Sequence, residues 1–232
     1  AEAARLYQGI DSGSRTLAAQ LRAHRLLLEE GAPEMAEMLI DDFLAAAPAE
    51  TVDVAAGVAA ILVEEGRGDE AIALVDRARD VVPDDGLLLA RAFLLERLDR
   101  VPEALADMRK VAARRPDDPM TLNALGYTLV DRTRSVEEGT RLIERAIAEK
   151  PDSFAIQDSM GWALVQSGKL EEGKAWLDKA WAASEDPEVA AHLGETLWRL
   201  GRPDDARKIW DEALAANPDS PPLKRAIERR EQ

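Results

Sequence analysis

The tightest constraint on this chain is a unit of about 34 residues that recurs along nearly all of it. "SMGWALVQSGKLEEGKAWLDKAW" (residues 159–181) aligns without a gap on "HLGETLWRLGRPDDARKIWDEAL" (residues 192–214). Gly161 falls on Gly194, Leu164 on Leu197, Gly168 on Gly201, Leu177 on Trp210 and Ala180 on Ala213. One such unit cannot bury its apolar face alone. Stacked neighbours bury it together, so the period predicts a solenoid. A solenoid is foremost a surface, and the repeat points to a binding scaffold before any single residue is weighed.

Prolines mark the ends of several copies. Pro48, Pro83, Pro116, Pro151 and Pro218 stand 35, 33, 35 and 67 residues apart; the last interval holds two copies because Glu185 replaces a proline. Pro ends a helix because it lacks the N–H donor and clashes with the preceding turn. Six units follow at 17–50, 51–84, 85–118, 119–153, 154–186 and 187–220. Residues 1–16 read as the remnant of an earlier unit, so the chain reads as a fragment or a processed form. Residues 221–232 read as a short capping helix, charged on the face where stacking stops.

Each unit reads as helix A, a tight turn and helix B. Gly31, Gly66, Gly168 and Gly201 follow helix A, where a left-handed residue commonly ends a helix. Pro33, Pro102 and Pro203 open helix B, where a missing N–H costs nothing. Asp84/Asp85, Asp117/Asp118 and Asp152/Ser153 are N-cap candidates for the next helix A. Small residues recur on helix A (Ala59, Ala92, Gly126, Gly161, Gly194) and early on helix B (Ala36, Ala71, Ala104, Ala206). They let the two axes approach closely. Leu27, Leu62, Leu95, Leu129, Leu164 and Leu197 fill the space beside them.

Composition removes several functions. The net charge of −15 repels phosphate backbones and anionic lipid surfaces, so nucleic acid is not an expected partner. With no Cys there are no disulfides or thiolate sites. No apolar run approaches the roughly 18 residues of a membrane span. Two His, no phosphate loop and no nucleophile elbow leave little from which to build catalysis. The expected catalytic, metal and cofactor sets are therefore empty.

The small-residue, Leu, Gly, Ala and terminal Pro positions together resemble the tetratricopeptide repeat. The match is strongest over 119–220, good over 51–118 and weaker over 17–50. The fourth unit departs by one inserted residue in "DRTRSVEEG" (residues 131–139) and lacks the turn Gly, which predicts a longer A–B turn there. The resemblance implies an all-α, right-handed superhelical solenoid of about six helix pairs plus a capping helix, its concave groove lined by helix A. The inward positions it implies include Met120, Asn123, Tyr127, Val130 and Asp131; then Asp158, Trp162, Val165 and Gln166; then Glu188, His192, Glu195, Trp198 and Arg199. Asn123, Asp158 and His192 would stack in one column, and Tyr127, Trp162 and Glu195 in another. Aromatic area beside amide and acid groups suits a protein or peptide ligand, so Asn123, Tyr127, Asp158, Trp162, His192, Glu195 and Trp198 form the expected partner-binding face. Trp176, Trp181 and Trp210 lie on helix B and read as core, His192 as a surface hydrogen-bonding residue and His24 as structural.

A closer resemblance rests on "LNALGYTLVDRT" (122–133), "AIQDSMGWALVQSGKLEEG" (155–173) and "DPEVAAHLGETLWRLGRPDDARKIW" (186–210). These stretches are similar to the C-terminal repeats of a proteobacterial family of outer-membrane tetratricopeptide lipoproteins. One member of that family is the adaptor of a periplasmic carboxyl-terminal processing protease. The resemblance implies a non-catalytic adaptor that holds the protease, its substrates or both. It also implies a periplasm-facing location, anchored through a lipidated segment outside this chain; a cytoplasmic location stays open. Two other roles stay open: a self-associating envelope component, and a carbohydrate-handling accessory protein that uses the aromatic column.

Overall fold

The computed structural model describes residues 15–46 and 51–231. Pro48, Gln232 and all but the last two residues of the expected 1–16 remnant lie outside them. Among the described residues the regular elements are thirteen α-helices and no strand. The first helices of successive pairs are α1 (Arg15–Glu29), α3 (Thr51–Glu64), α5 (Asp85–Arg97), α7 (Pro119–Arg132), α9 (Phe154–Gln166) and α11 (Pro187–Arg199). Their partners are α2 (Pro33–Ala46), α4 (Gly68–Val81), α6 (Val101–Arg114), α8 (Val136–Glu149), α10 (Leu170–Ala183) and α12 (Pro203–Ala216). A last helix, α13 (Pro221–Glu231), follows. The fold is an all-α solenoid of helix pairs.

Local chemistry sets the helix ends. Gly31, Gly66, Gly168 and Gly201 all have positive φ, between 71° and 82°. In each turn two N–H groups reach back: Gly168 N to Val165 O at 3.1 Å and Lys169 N to Leu164 O at 2.9 Å are one instance. This satisfies the last carbonyls of helix A. In the third pair the same role falls to Asp99, at φ 61°, a non-Gly residue that tolerates the left-handed region.

The fourth turn corrects the expectation of a longer loop. Three residues (133–135) separate α7 from α8, as in the other pairs. The inserted residue instead lengthens α7, which runs six residues past Gly126, against five past Gly161 in α9. Thr133 replaces the turn Gly: its hydroxyl donates to Leu129 O and accepts from Ser135 N at 3.0 Å.

Asp84 accepts from Gly86 N at 2.6 Å and Asp118 from Thr121 N at 3.2 Å, as N-caps should. Ser153 makes no side-chain cap bond, contrary to expectation, whereas Asp186 caps α11 by accepting from Glu188 N at 2.8 Å.

The chain divides into two compact units at Val111/Ala112, within α6. The core of the first runs through Leu27, Ile40, Leu74, Leu87, Leu95 and Met108, all fully buried. In the second, Leu129, Ile143, Ile156, Leu177, Trp210 and Leu223 are buried. Here α7 and α8 cross backbone to backbone. A Cβ on Gly126 would lie 2.8 Å from Gly139 O, and one on Gly139 would lie 2.5 Å from Gly126 O. Gly161 and Gly173 repeat this reciprocal approach between α9 and α10. Gly194 faces the Trp210 indole. Helix α13 buries Leu223 and Ala226 and leaves Lys224, Arg225 and Glu228 exposed, an apolar stripe packed against α11 and α12. Of the helix B tryptophans expected in the core, Trp210 is buried, Trp181 packs at the core's edge, and Trp176 is half-buried under Lys179.

Candidate functional site

Three consecutive first helices of the second unit carry the expected face. On α7, Asn123, Tyr127 and Asp131 are spaced four apart and so share one stripe. On α9, Asp158 and Trp162 do the same. On α11, Glu188, His192, Glu195 and Arg199 follow at spacings of four, three and four.

These side chains interlock. His192 Nδ1 lies 3.0 Å from both Asp158 carboxylate oxygens, and its Nε2 lies 3.4 Å from Tyr127 Oη. The Tyr127 hydroxyl donates to Glu188 Oε1 at 2.7 Å. The Trp162 ring stacks on the imidazole, with centroids 4.3 Å apart and planes 16° apart, while its Nε1 donates to Asp131 Oδ1 at 3.0 Å. Arg199 donates to Glu195 and lies 5.4 Å over the Trp162 ring. Trp198 stacks on Trp210 at 6.0 Å, and Arg207 lies over the Trp198 ring at 5.3 Å.

Electrostatics fix the protonation states. Burial alone would depress His192, but the charge and hydrogen bond of Asp158, aided by the Glu188 and Asp131 carboxylates, prevail and push it up to about 9. At neutral pH the ring is therefore an imidazolium, donating to Asp158 through Nδ1 and toward Tyr127 through Nε2. Burial, with the carboxylates of Glu188 and Asp131, pushes the Tyr127 hydroxyl up, so it stays protonated and donates to Glu188. The result is a continuous donor–acceptor chain from Asp158 through His192 and Tyr127 to Glu188, covered by the Trp162 ring.

That arrangement corrects the picture of an open face. Trp162 is 4% exposed, Asp158 5% and His192 8%. Asn123 and Glu195 are buried too, while Tyr127 and Trp198 are half-buried. His192 is thus not a surface residue. Its register also differs from the expected column. With Gly161 on Gly194, the counterpart of Asp158 is Ala191; His192 sits one residue on, turned by about 100° around the helix. It reaches sideways to Asp158 instead of extending a column. Asn123 does not join the chain, and its Oδ1 has no hydrogen-bond partner among the described residues. What lies open around the buried cluster is Met120, 47% exposed, with Asp131, Glu188 and Arg199.

Sequence reasoning placed Asp131, Glu188 and Arg199 on the inward face without giving them a role, and missed that the cluster satisfies itself. The available signal was an acid on α9 and a histidine on α11 at facing positions. Gly139 and Gly173 were missed as the close-approach partners of Gly126 and Gly161. Among the described residues no three His, Cys, Asp or Glu side chains gather to hold a metal ion. No described helix is long and apolar enough to cross a membrane.

Comparison with known proteins agrees with the helix-pair geometry. Tetratricopeptide-repeat family models match residues 59–119 and 187–227. A TPR repeat-containing protein of Pseudomonas aeruginosa is 39% identical over 190 residues, covering 82% of this chain and 32% of that protein. The cellulose synthase operon protein C of Pseudomonas fluorescens is 28% identical over 166 residues, covering 67% of this chain and 13% of that protein. The chain therefore spans about a third and about an eighth of these two curated relatives. Among solved structures, a thermophilic TPR protein of Thermus thermophilus superposes with a TM-score of 0.66 at 23% identity, covering 76% of this chain and 97% of that one. At that identity the likeness speaks to the fold. The chain carries tetratricopeptide repeats, a type of repeat that generally mediates protein–protein interaction.

Proposed function

We propose that this chain is a non-catalytic adaptor that binds a protein or peptide along the α7–α9–α11 face. One observation supports this above the rest: three consecutive first helices are locked together by a buried, self-satisfied cluster whose border presents open side chains. The lock fixes the relative positions of Met120, Tyr127, Asp131, Glu188, Trp198 and Arg199. A preorganised surface of this kind binds with less ordering cost. Asp158, Trp162, His192 and Glu195 act from beneath, by holding that border in place. Binding would concentrate the docked segment near a second protein engaged by the same array.

The similarity of residues 119–220 to outer-membrane tetratricopeptide lipoproteins supports a more specific reading. In it the chain faces the periplasm and brings substrates to a carboxyl-terminal processing protease. The carbohydrate role loses its footing, because Trp162 is buried against His192 and presents no open ring to a sugar. The name of the cellulose-operon relative does not alter that geometry.

The test is affinity capture from an envelope extract of the native source, with wild-type chain and a Met120→Glu variant as baits. Met120 is 47% exposed, so the variant should fold. Recovery of a carboxyl-terminal processing protease or its substrates by wild type alone is the expected result. Recovery of other envelope proteins by wild type alone keeps the scaffold and removes the protease. Recovery of nothing but further copies of the chain, with a mass that rises with concentration, replaces the adaptor with a self-associating component.

A further inference from the structure

The lock on α7, α9 and α11 neutralises the charges at its centre and leaves two at its border. The His192 imidazolium faces both Asp158 oxygens at 3.0 Å, and Arg199 is held by Glu195. Asp131 and Glu188 have no such match. Asp131 Oδ1 accepts from the Trp162 indole at 3.0 Å and Glu188 Oε1 from the Tyr127 hydroxyl at 2.7 Å, and both donors are neutral. Among the described residues neither carboxylate meets a Lys or Arg at ion-pair distance, and the second oxygen of each accepts nothing. A bond from a neutral donor orients a carboxylate and leaves its charge in place.

The surface beside them is apolar. Asp131 and Glu188 are exposed, and so is Met120, two turns before Tyr127 on the same stripe of α7. Tyr127 is half-buried between them and adds ring area. Asp131 and Glu188 both help to raise His192, so both stand close around that one ring. The imidazolium does not bar a second cation, because it is 8% exposed and its charge is taken up by Asp158.

We propose that this border docks a segment of a partner protein that carries basic side chains, their methylene stems on Met120 and Tyr127 and their cationic heads at Asp131 and Glu188. The inference rests on the adaptor face proposed above and adds the chemistry of its occupant. Lys and Arg suit both halves of this surface, since each joins an apolar stem to a charged head. An acidic segment would meet like charge at the same place, which costs binding. Carboxylates already aimed by Trp162 and Tyr127 need little reordering when a cation arrives.

Titrations of the intact chain use capped Ala/Ser peptides that carry Lys, Arg, norleucine or Glu at the same positions. The five tryptophans give five indole N–H signals in an NMR spectrum, and Asp131→Asn picks out that of Trp162. The expected result is a saturable shift of that signal with the Lys or Arg peptide, tighter at about 50 mM salt than at about 300 mM, and none with norleucine or Glu. Asp131→Asn/Glu188→Gln keeps both acceptor oxygens, so the fold should persist while affinity falls about tenfold or more. Three results overturn the proposal: no response to any peptide, norleucine binding as tightly as lysine, or wild-type affinity in the neutral variant. The adaptor reading fails separately. A captured partner that is lost from Met120→Glu but binds the neutral variant as tightly as wild type keeps the adaptor and sinks the basic segment. A response to the basic peptides with no partner captured keeps the cation-binding border and removes the adaptor.

Discussion

At the scale of single residues, folding drives the two histidines in opposite directions. His192 is raised from 6.5 to about 9, so its contribution is complete below the unfolded value and disappears as pH climbs through 9. His24 is lowered from 6.5 to about 4, so its contribution is complete above 6.5 and disappears as pH falls toward 4. Stability should therefore peak near pH 6.5, each histidine adding a slope of at most about 1.4 kcal/mol per pH unit on its own side. Urea midpoints from pH 4 to 10 measure this. His192→Gln should flatten the alkaline limb and His24→Ala the acid limb, and an alkaline limb unchanged in His192→Gln would contradict the imidazolium assignment. The sequence showed which residues face inward on α7, α9 and α11, because helical spacing carries direction. It did not show that Trp162 is covered, since that depends on His192 reaching across from the next pair.

Among the elements, glycines of two kinds separate cleanly. Gly161 has negative φ but no room: a Cβ would lie 2.7 Å from Leu177 Cγ and 3.0 Å from Gly173 O. Gly161→Leu should destabilise by roughly 1–3 kcal/mol or more through overpacking. Gly168 has room but φ of 82°, with nothing within 4 Å, so Gly168→Ala should cost about 1–2 kcal/mol through backbone strain alone. Melting temperatures of the two variants test the register; an unchanged Gly161→Leu protein would refute it. The caps give a second pair. Asp186→Ala should cost about 1 kcal/mol, while Ser153→Ala, which loses no cap bond, should be near neutral. Turn glycines and cap aspartates were legible because their chemistry is local. The fourth turn was not: the chain absorbs its extra residue by extending α7, a choice made by the Thr133 hydroxyl that the spacing alone does not reveal.

For the whole molecule, a period of about 34 residues was enough to name an all-α solenoid, because each pair needs its neighbours to bury its apolar face. The division into compact units at Val111/Ala112 was not legible, since the repeat continues across it. Residues 112–232 hold the entire α7–α9–α11 cluster. Expressed alone, they should stay helical, keep the alkaline stability limb of His192 and lack the acid limb of His24; an acid limb in that fragment would place its origin elsewhere. The central claim is that the open border of this cluster contacts a partner while the buried residues only hold it in place. Titration calorimetry of the captured partner against wild type and Met120→Glu tests it most directly. The account predicts a loss of at least ~2 kcal/mol in binding, roughly thirtyfold, at an unchanged melting temperature. Wild-type affinity in that variant would contradict it and move the interface off this face.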